Sequence, residues 1–108
     1  IVDRLGLARR IKFSPEQADA LDMARLADNY MARQAPAIVL MFHSSSLLPG
    51  ASPYVKTAGD LEKFFGRLRA TFEHCLGKRR MTSATLTSFA RRFVADAKSK
   101  CSDLLAAP

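Results

Sequence analysis

The sequence predicts a parallel α/β layout that lacks part of its own sheet. Helical and extended patterns alternate along the chain. The run Ala37-Ile38-Val39-Leu40-Met41-Phe42 has no polar alternation, so it is expected to bury both faces as a central parallel strand. Such a strand needs hydrogen-bonded neighbours on both edges. Only two weak segments, residues 10–13 and 78–81, are on offer. The rest of the sheet is therefore expected from a larger protein or from another chain.

The first helix is expected to open at Ser14-Pro15-Glu16-Gln17, with Ser as N-cap, Pro at the first helical position and Gln three residues after the cap. Ala20, Met23, Ala24, Ala27, Tyr30 and Met31 follow at helical spacing. Glu16 and Asp19 suit the positive end of the helix dipole and Arg33 the negative end. Pro36 disfavours helical geometry at Ala35 and stops the helix. After the apolar run comes a long loop, residues 43–56, rich in Ser and Pro; long loops at strand ends are often functional.

Thr57 then caps a second helix, with Asp60 at the third position. Its stripe is Leu61, Phe64, Phe65, Leu68, Phe72 and Cys75, and Gly77 ends it. Thr82 or Ser83 caps a third helix striped by Leu86, Phe89, Ala90, Phe93, Val94 and Ala97. Residues 102–108 read as a flexible tail on what is otherwise a single partial domain, 1–108.

Bulk composition agrees with one small globular unit: 108 residues, 48% hydrophobic, 25% charged. Seventeen Lys and Arg against ten Asp and Glu give a net charge of +7. Such a surface attracts polyanions. The basic doublets Arg9-Arg10, Arg79-Arg80 and Arg91-Arg92 are short and scattered, so solvated helix faces are favoured over a nucleic-acid site. Cys75 and Cys101 lack metal-ligand spacing and fall on apolar helix faces, which favours two buried free thiols. No signal peptide or membrane span appears. The chain begins at Ile1 rather than Met, the mark of a cut or processed polypeptide.

Few residues suit chemistry. His43 stands where the apolar run ends, and strand C-termini carry the active sites of parallel α/β folds. It either works as an acid or base near neutral pH or simply hydrogen-bonds a loop carbonyl. Ser44, Ser45 and Ser46 have no nucleophile-elbow pattern around them and are read as fixing the loop backbone. His74 reads as an ordinary helix residue, and the two histidines make no metal site.

The stretch Phe42-His43-Ser44-Ser45-Ser46-Leu47-Leu48-Pro49-Gly50-Ala51-Ser52-Pro53-Tyr54-Val55, with Asp60-Leu61 opening the next helix, resembles the late motif of NodB-homology polysaccharide deacetylases. The similarity is to a subgroup tied to bacterial exopolysaccharide and cell-envelope genes. Phe13 to Glu16 upstream and Gly77 to Leu86 downstream are similar as well. The resemblance implies the C-terminal portion of an irregular parallel (β/α) barrel, helix-rich here, in the bacterial cytoplasm or at the envelope. It implies metal-assisted hydrolysis of acetyl groups on a glycan, with His43 as general acid and Met41, Leu47 and Tyr54 at the substrate pocket. Met41 stands where the family has Leu. The family's Asp-rich motif and metal-binding His pair have no counterpart in residues 1–42. The chain is therefore expected to hold no metal and to be inactive alone. The divalent metal, the base and the acetylated polysaccharide belong to the complete domain, formed with the missing N-terminal part or with a self-associating copy. The alternative is a small basic helical module that binds an acidic partner or nucleic acid.

Overall fold

A computed structural model describes residues 10–106. The α/β expectation is corrected: the regular elements among these residues are all helical, and none of them is a strand. Helix α1 spans Ala20–Ala32, a 3₁₀ turn spans Ser44–Leu47, α2 spans Ala58–Phe72 and continues as a π-helical turn, Glu73–Lys78, and α3 spans Leu86–Ala106. The barrel-fragment assignment falls with the strands. Arg9, from the first basic doublet, lies outside the described residues, as do Ala107 and Pro108 of the expected tail.

The decisive segment is 37–42. It has no regular secondary structure and is not a buried strand: Val39 is 55% exposed and Met41 52%. A ladder needs several backbone bonds, and the Met41 N–H to the Phe13 carbonyl, at 3.2 Å, is one link. The apolar run instead uses alternate side chains. Leu40 packs against the core, and Phe42 meets Phe64 edge-on at 5.3 Å between ring centres. Residues 10–13 likewise form no strand, and 78–81 are the end of the π turn and the loop after it.

Helix starts follow the local hydrogen-bonding chemistry. Thr57 and Asp60 form a reciprocal capping box as expected: Thr57 Oγ1 accepts from the Asp60 N–H at 3.1 Å, and Asp60 accepts from the Thr57 N–H at 3.0 Å. The start expected at Ser14 moves to Ala20. Ser14 closes only one turn, through the Ala18 N–H to its carbonyl at 3.0 Å. Asp19 then takes extended geometry and caps α1 by accepting from the Asp22 N–H at 2.8 Å. The third helix starts after Thr85 rather than Thr82 or Ser83, with Thr85 Oγ1 accepting from the Ser88 N–H at 3.1 Å. The expected tail is largely helical, because α3 runs on to Ala106.

The core lies between α1, α2 and the loop that joins them. Phe64 and Val55 are fully buried beside Leu68, with Leu40, Tyr54 and Leu61 packed around them. Met23 and Ala27 of α1 are also fully buried. Thr71 of α2 lies against Met23, its hydroxyl 3.6 Å from the thioether sulfur. The buried line of α2 and its extension is thus Phe64, Leu68, Thr71 and Cys75, and Phe65 and Phe72 of the expected stripe lie at the surface. Cys75 is buried and Cys101 exposed, so one of the two thiols departs from the expectation; both are free.

A polar clamp joins the far end of α1 to the π turn. Asp28 accepts from Arg79 through both oxygens at 2.8 Å and from His74 Nε2 at 2.8 Å. The Arg79 and His74 hydrogen bonds hold the Asp28 carboxyl below its ordinary range. Beyond this clamp α3 buries none of its residues. The radius of gyration, 18.0 Å, exceeds the roughly 13 Å of a compact chain this long.

This division predicts a sharp contrast in urea unfolding. Phe64→Ala should cost about 3–5 kcal/mol, as buried Phe truncations do, whereas Phe93→Ala on α3 should change stability by less than about 0.5 kcal/mol. Equal costs would show that α3 belongs to the folded core.

Candidate functional site

Three segments meet at the carboxylate of Glu16. Ser14 and Pro15, both buried, begin a tight turn that directs Glu16 inward. Arg67 of α2 pins the turn from the other side, its Nε–H donating to the Pro15 carbonyl at 2.7 Å. The Glu16 side chain is 2% exposed. A carboxylate so far out of water needs donors, and the loop after segment 37–42 supplies them. The His43 backbone N–H donates to Glu16 Oε1 at 2.9 Å. The His43 ring lies with Nδ1 3.0 Å from Oε2. The Ser46 hydroxyl makes a short hydrogen bond to Oε1.

The donor direction follows from the groups present. An ionised carboxylate only accepts, so the proton between His43 and Glu16 resides on Nδ1. Nε2 then faces outward as the free ring nitrogen, on a side chain that is 64% exposed. A hydroxyl has one proton, and that of Ser46 is committed to Glu16. Ser52, 3.1 Å from Ser46, is therefore the donor of that pair. Ser52 Oγ also accepts from the Tyr54 and Val55 N–H groups at 3.3 and 3.2 Å. The loop is thus hydrogen-bonded from the Glu16 carboxylate to the buried Val55.

Burial taken alone would raise the Glu16 pKa. The Ser46 hydroxyl, the His43 N–H, the His43 ring and the positive charge of that ring when protonated together outweigh it, and hold the carboxyl below its ordinary value. Tyr54 closes the site on one side. Its ring lies nearly parallel to the His43 ring, 12° apart with centres 6.3 Å distant, and its hydroxyl accepts from Gln17 Nε2 at 3.1 Å. Pro49-Gly50 provides the bend that returns the chain. Ala51 N–H bonds the Leu48 carbonyl at 3.1 Å across a turn whose third residue, Gly50, has φ +85°, a geometry suited to glycine.

Of the residues singled out from sequence, the structure brings His43 and Tyr54 together. Met41 and Leu47 are exposed and line no cavity around His43. The concavities along α3, by Ala90 and Val94, and beside Arg10 and Gln17 do not include it either. Of the three loop serines Ser46 alone is buried, and its hydroxyl bonds the side chains of Glu16 and Ser52 rather than the loop backbone, which Ser52 holds instead. Glu16 went unassigned in sequence because it reads as a favourable helix-dipole charge. The available signal was the resemblance that groups Phe13 to Glu16 with the His43 loop. Among the described residues no group of three His, Cys, Asp or Glu side chains is placed to hold a metal ion. The divalent metal implied by the resemblance therefore has no ligand set among them. No family model, curated protein or solved structure matches the chain.

The lowered Glu16 pKa makes stability depend on pH with a definite sign. The contribution should be complete above the unfolded value of about 4.3 and should vanish as pH falls through the folded value, when both states are protonated. Urea unfolding of the chain and of Glu16→Gln should therefore differ at pH 7 and converge in acid. A gap that stays constant, or widens in acid, would contradict the assignment.

Proposed function

We propose that this chain supplies the general-acid half of a hydrolytic site that removes acetyl groups from a bacterial envelope or extracellular glycan, in the manner of polysaccharide deacetylases. The observation that carries the proposal is the buried Glu16 carboxylate on His43 Nδ1, with Nε2 turned to solvent. It gives the His43 loop, on which the family resemblance rests, a chemical purpose. In the imidazolium form, Nε2–H passes its proton to the departing amine or alkoxide as the bond to the acetyl carbon breaks. The ring is left neutral, with its proton on Nδ1 toward Glu16. The carboxylate fixes the ring in place, so no reorganisation is needed at the moment of transfer. Tyr54 flanks the ring and gives an incoming sugar a flat surface.

The proposal assigns the base and the metal to polypeptide outside the described residues. The isolated chain should then release no acetate from an acetylated glycan, with or without added divalent metal. Acetate release by the 108-residue chain alone would refute the half-site. In the complete enzyme that the proposal requires, His43→Ala should lower kcat by about 10²–10⁴-fold with KM little changed. Ser45→Ala, at an exposed hydroxyl with no part in the Glu16 network, should cost several-fold at most. If His43→Ala kept kcat within a factor of about three, His43 would not be the acid.

The alternative of a basic module that binds an acidic partner gains support from one observation, a third helix that buries none of its residues.

A further inference from the structure

Helix α3 presents a continuous apolar stripe to water. Leu86, Ala90, Phe93, Ala97 and Leu104 recur every three or four residues or a heptad apart, with Val94 beside them. The ends of the stripe are the most open, Leu86 at 70% and Leu104 at 79% exposure. Phe89 and Phe93 add a stacked pair with ring centres 5.8 Å apart. α1 buries Met23 and Ala27 of its stripe and α2 buries Phe64 and Leu68; on α3 no residue is buried.

The charge around this stripe is not balanced. From Lys78 to Asp103 the chain carries seven Lys and Arg against two acidic residues, Asp96 and Asp103, and four of the seven, Arg91, Arg92, Lys98 and Lys100, lie on α3. One of the seven, Arg79, is held by Asp28. Arg91 and Lys98, a heptad apart, run along one border of the stripe, and Lys100 stands on the other. Asp96 and Asp103 lie farther round on the Lys100 side, so the helix is most basic along the Arg91–Lys98 border.

We propose that α3 is a peripheral membrane-binding helix that lies flat on an anionic lipid surface. An apolar face of Phe and Leu bordered by Lys and Arg suits the boundary between headgroups and acyl chains, where long basic side chains reach the anionic headgroups while the stripe enters the apolar layer. The helix is about 32 Å long, and no helix of the described residues is long and apolar enough to cross a membrane. Contact is therefore along the surface. Nucleic acid satisfies the charge but leaves the stripe in water. An antiparallel second copy covers the stripe but sets the Arg91–Lys98 border against its own like.

The test is co-sedimentation of the full chain with vesicles of phosphatidylcholine alone and of phosphatidylcholine containing a quarter phosphatidylglycerol. Binding should require the anionic lipid and weaken as salt is raised. Each basic residue near such a surface strengthens partitioning about fivefold, so Arg91→Glu with Lys98→Glu should weaken it at least about tenfold. Phe93→Ser with Leu104→Ser should weaken it as much. Neither pair touches the core, and far-ultraviolet dichroism with urea unfolding checks that the fold is kept. Equal binding to neutral and anionic vesicles, or no binding to either, would overturn the proposal. So would unchanged binding by the Ser pair. A lipid-free dimer dissolved by that pair would assign the stripe to a second copy, and tighter binding to duplex DNA, indifferent to the pair, would assign the charge to nucleic acid. Either result also overturns the proposal.

Discussion

A carboxylate taken out of water is costly unless donors meet it, and in this protein that requirement ties together segments far apart in the chain. Glu16 comes from the turn before α1, and its donors come from the loop between α1 and α2. Each donor it takes fixes a different part of that loop: the His43 N–H the backbone, Nδ1 the ring, and the Ser46 hydroxyl the following 3₁₀ turn. Removing the carboxylate would leave the inner Ser46 hydroxyl without its acceptor. Removing the loop would leave a charge without partners. The interaction is therefore structural in origin, and the orientation of His43 follows from it.

The hydrophobic core places these partners. Val55 ends the hydrogen-bonded chain from Glu16 through Ser46 and Ser52, and it packs with Phe64 and Leu68 of α2. The same helix reaches back through Arg67 to hold the Glu16 turn. A change in how α2 seats on the core would thus move both sides of the Glu16–His43 contact together. The Asp28 clamp fixes the other end of the α1–α2 pair. Beyond the clamp none of the described residues is buried, and α3 presents its apolar stripe outward.

Legibility in the sequence tracked how local the determining physics was. The Thr57–Asp60 cap depends on residues within one turn, and it occurs where it is expected. The Ser14 start is also local, but two caps compete there: Asp19 and Ser14 each satisfy nearby N–H groups, and the longer helix goes to Asp19. Segment 37–42 misled for a different reason. An unbroken apolar run reports that burial is wanted, but a strand exists only with partners, and one backbone bond to Phe13 makes no ladder. Cys101 shares the misjudged burial, because an apolar stripe does not say whether anything covers it. His43 was recognisable from its place in the loop. Glu16 was not, since a contact across 27 residues leaves no spacing to read.

The placement of a single proton tests the central claim. If Glu16 accepts from the ring, neutral His43 carries its proton on Nδ1, the tautomer less common for free imidazole side chains. Long-range ¹H–¹⁵N correlation spectra of the histidine-labelled chain, recorded in alkaline solution, distinguish the two ring nitrogens. The account predicts a protonated Nδ1 and an unprotonated Nε2 for His43, reverting to the ordinary mixture in Glu16→Gln. A wild-type chain with the proton on Nε2, or a tautomer indifferent to Glu16→Gln, would contradict it.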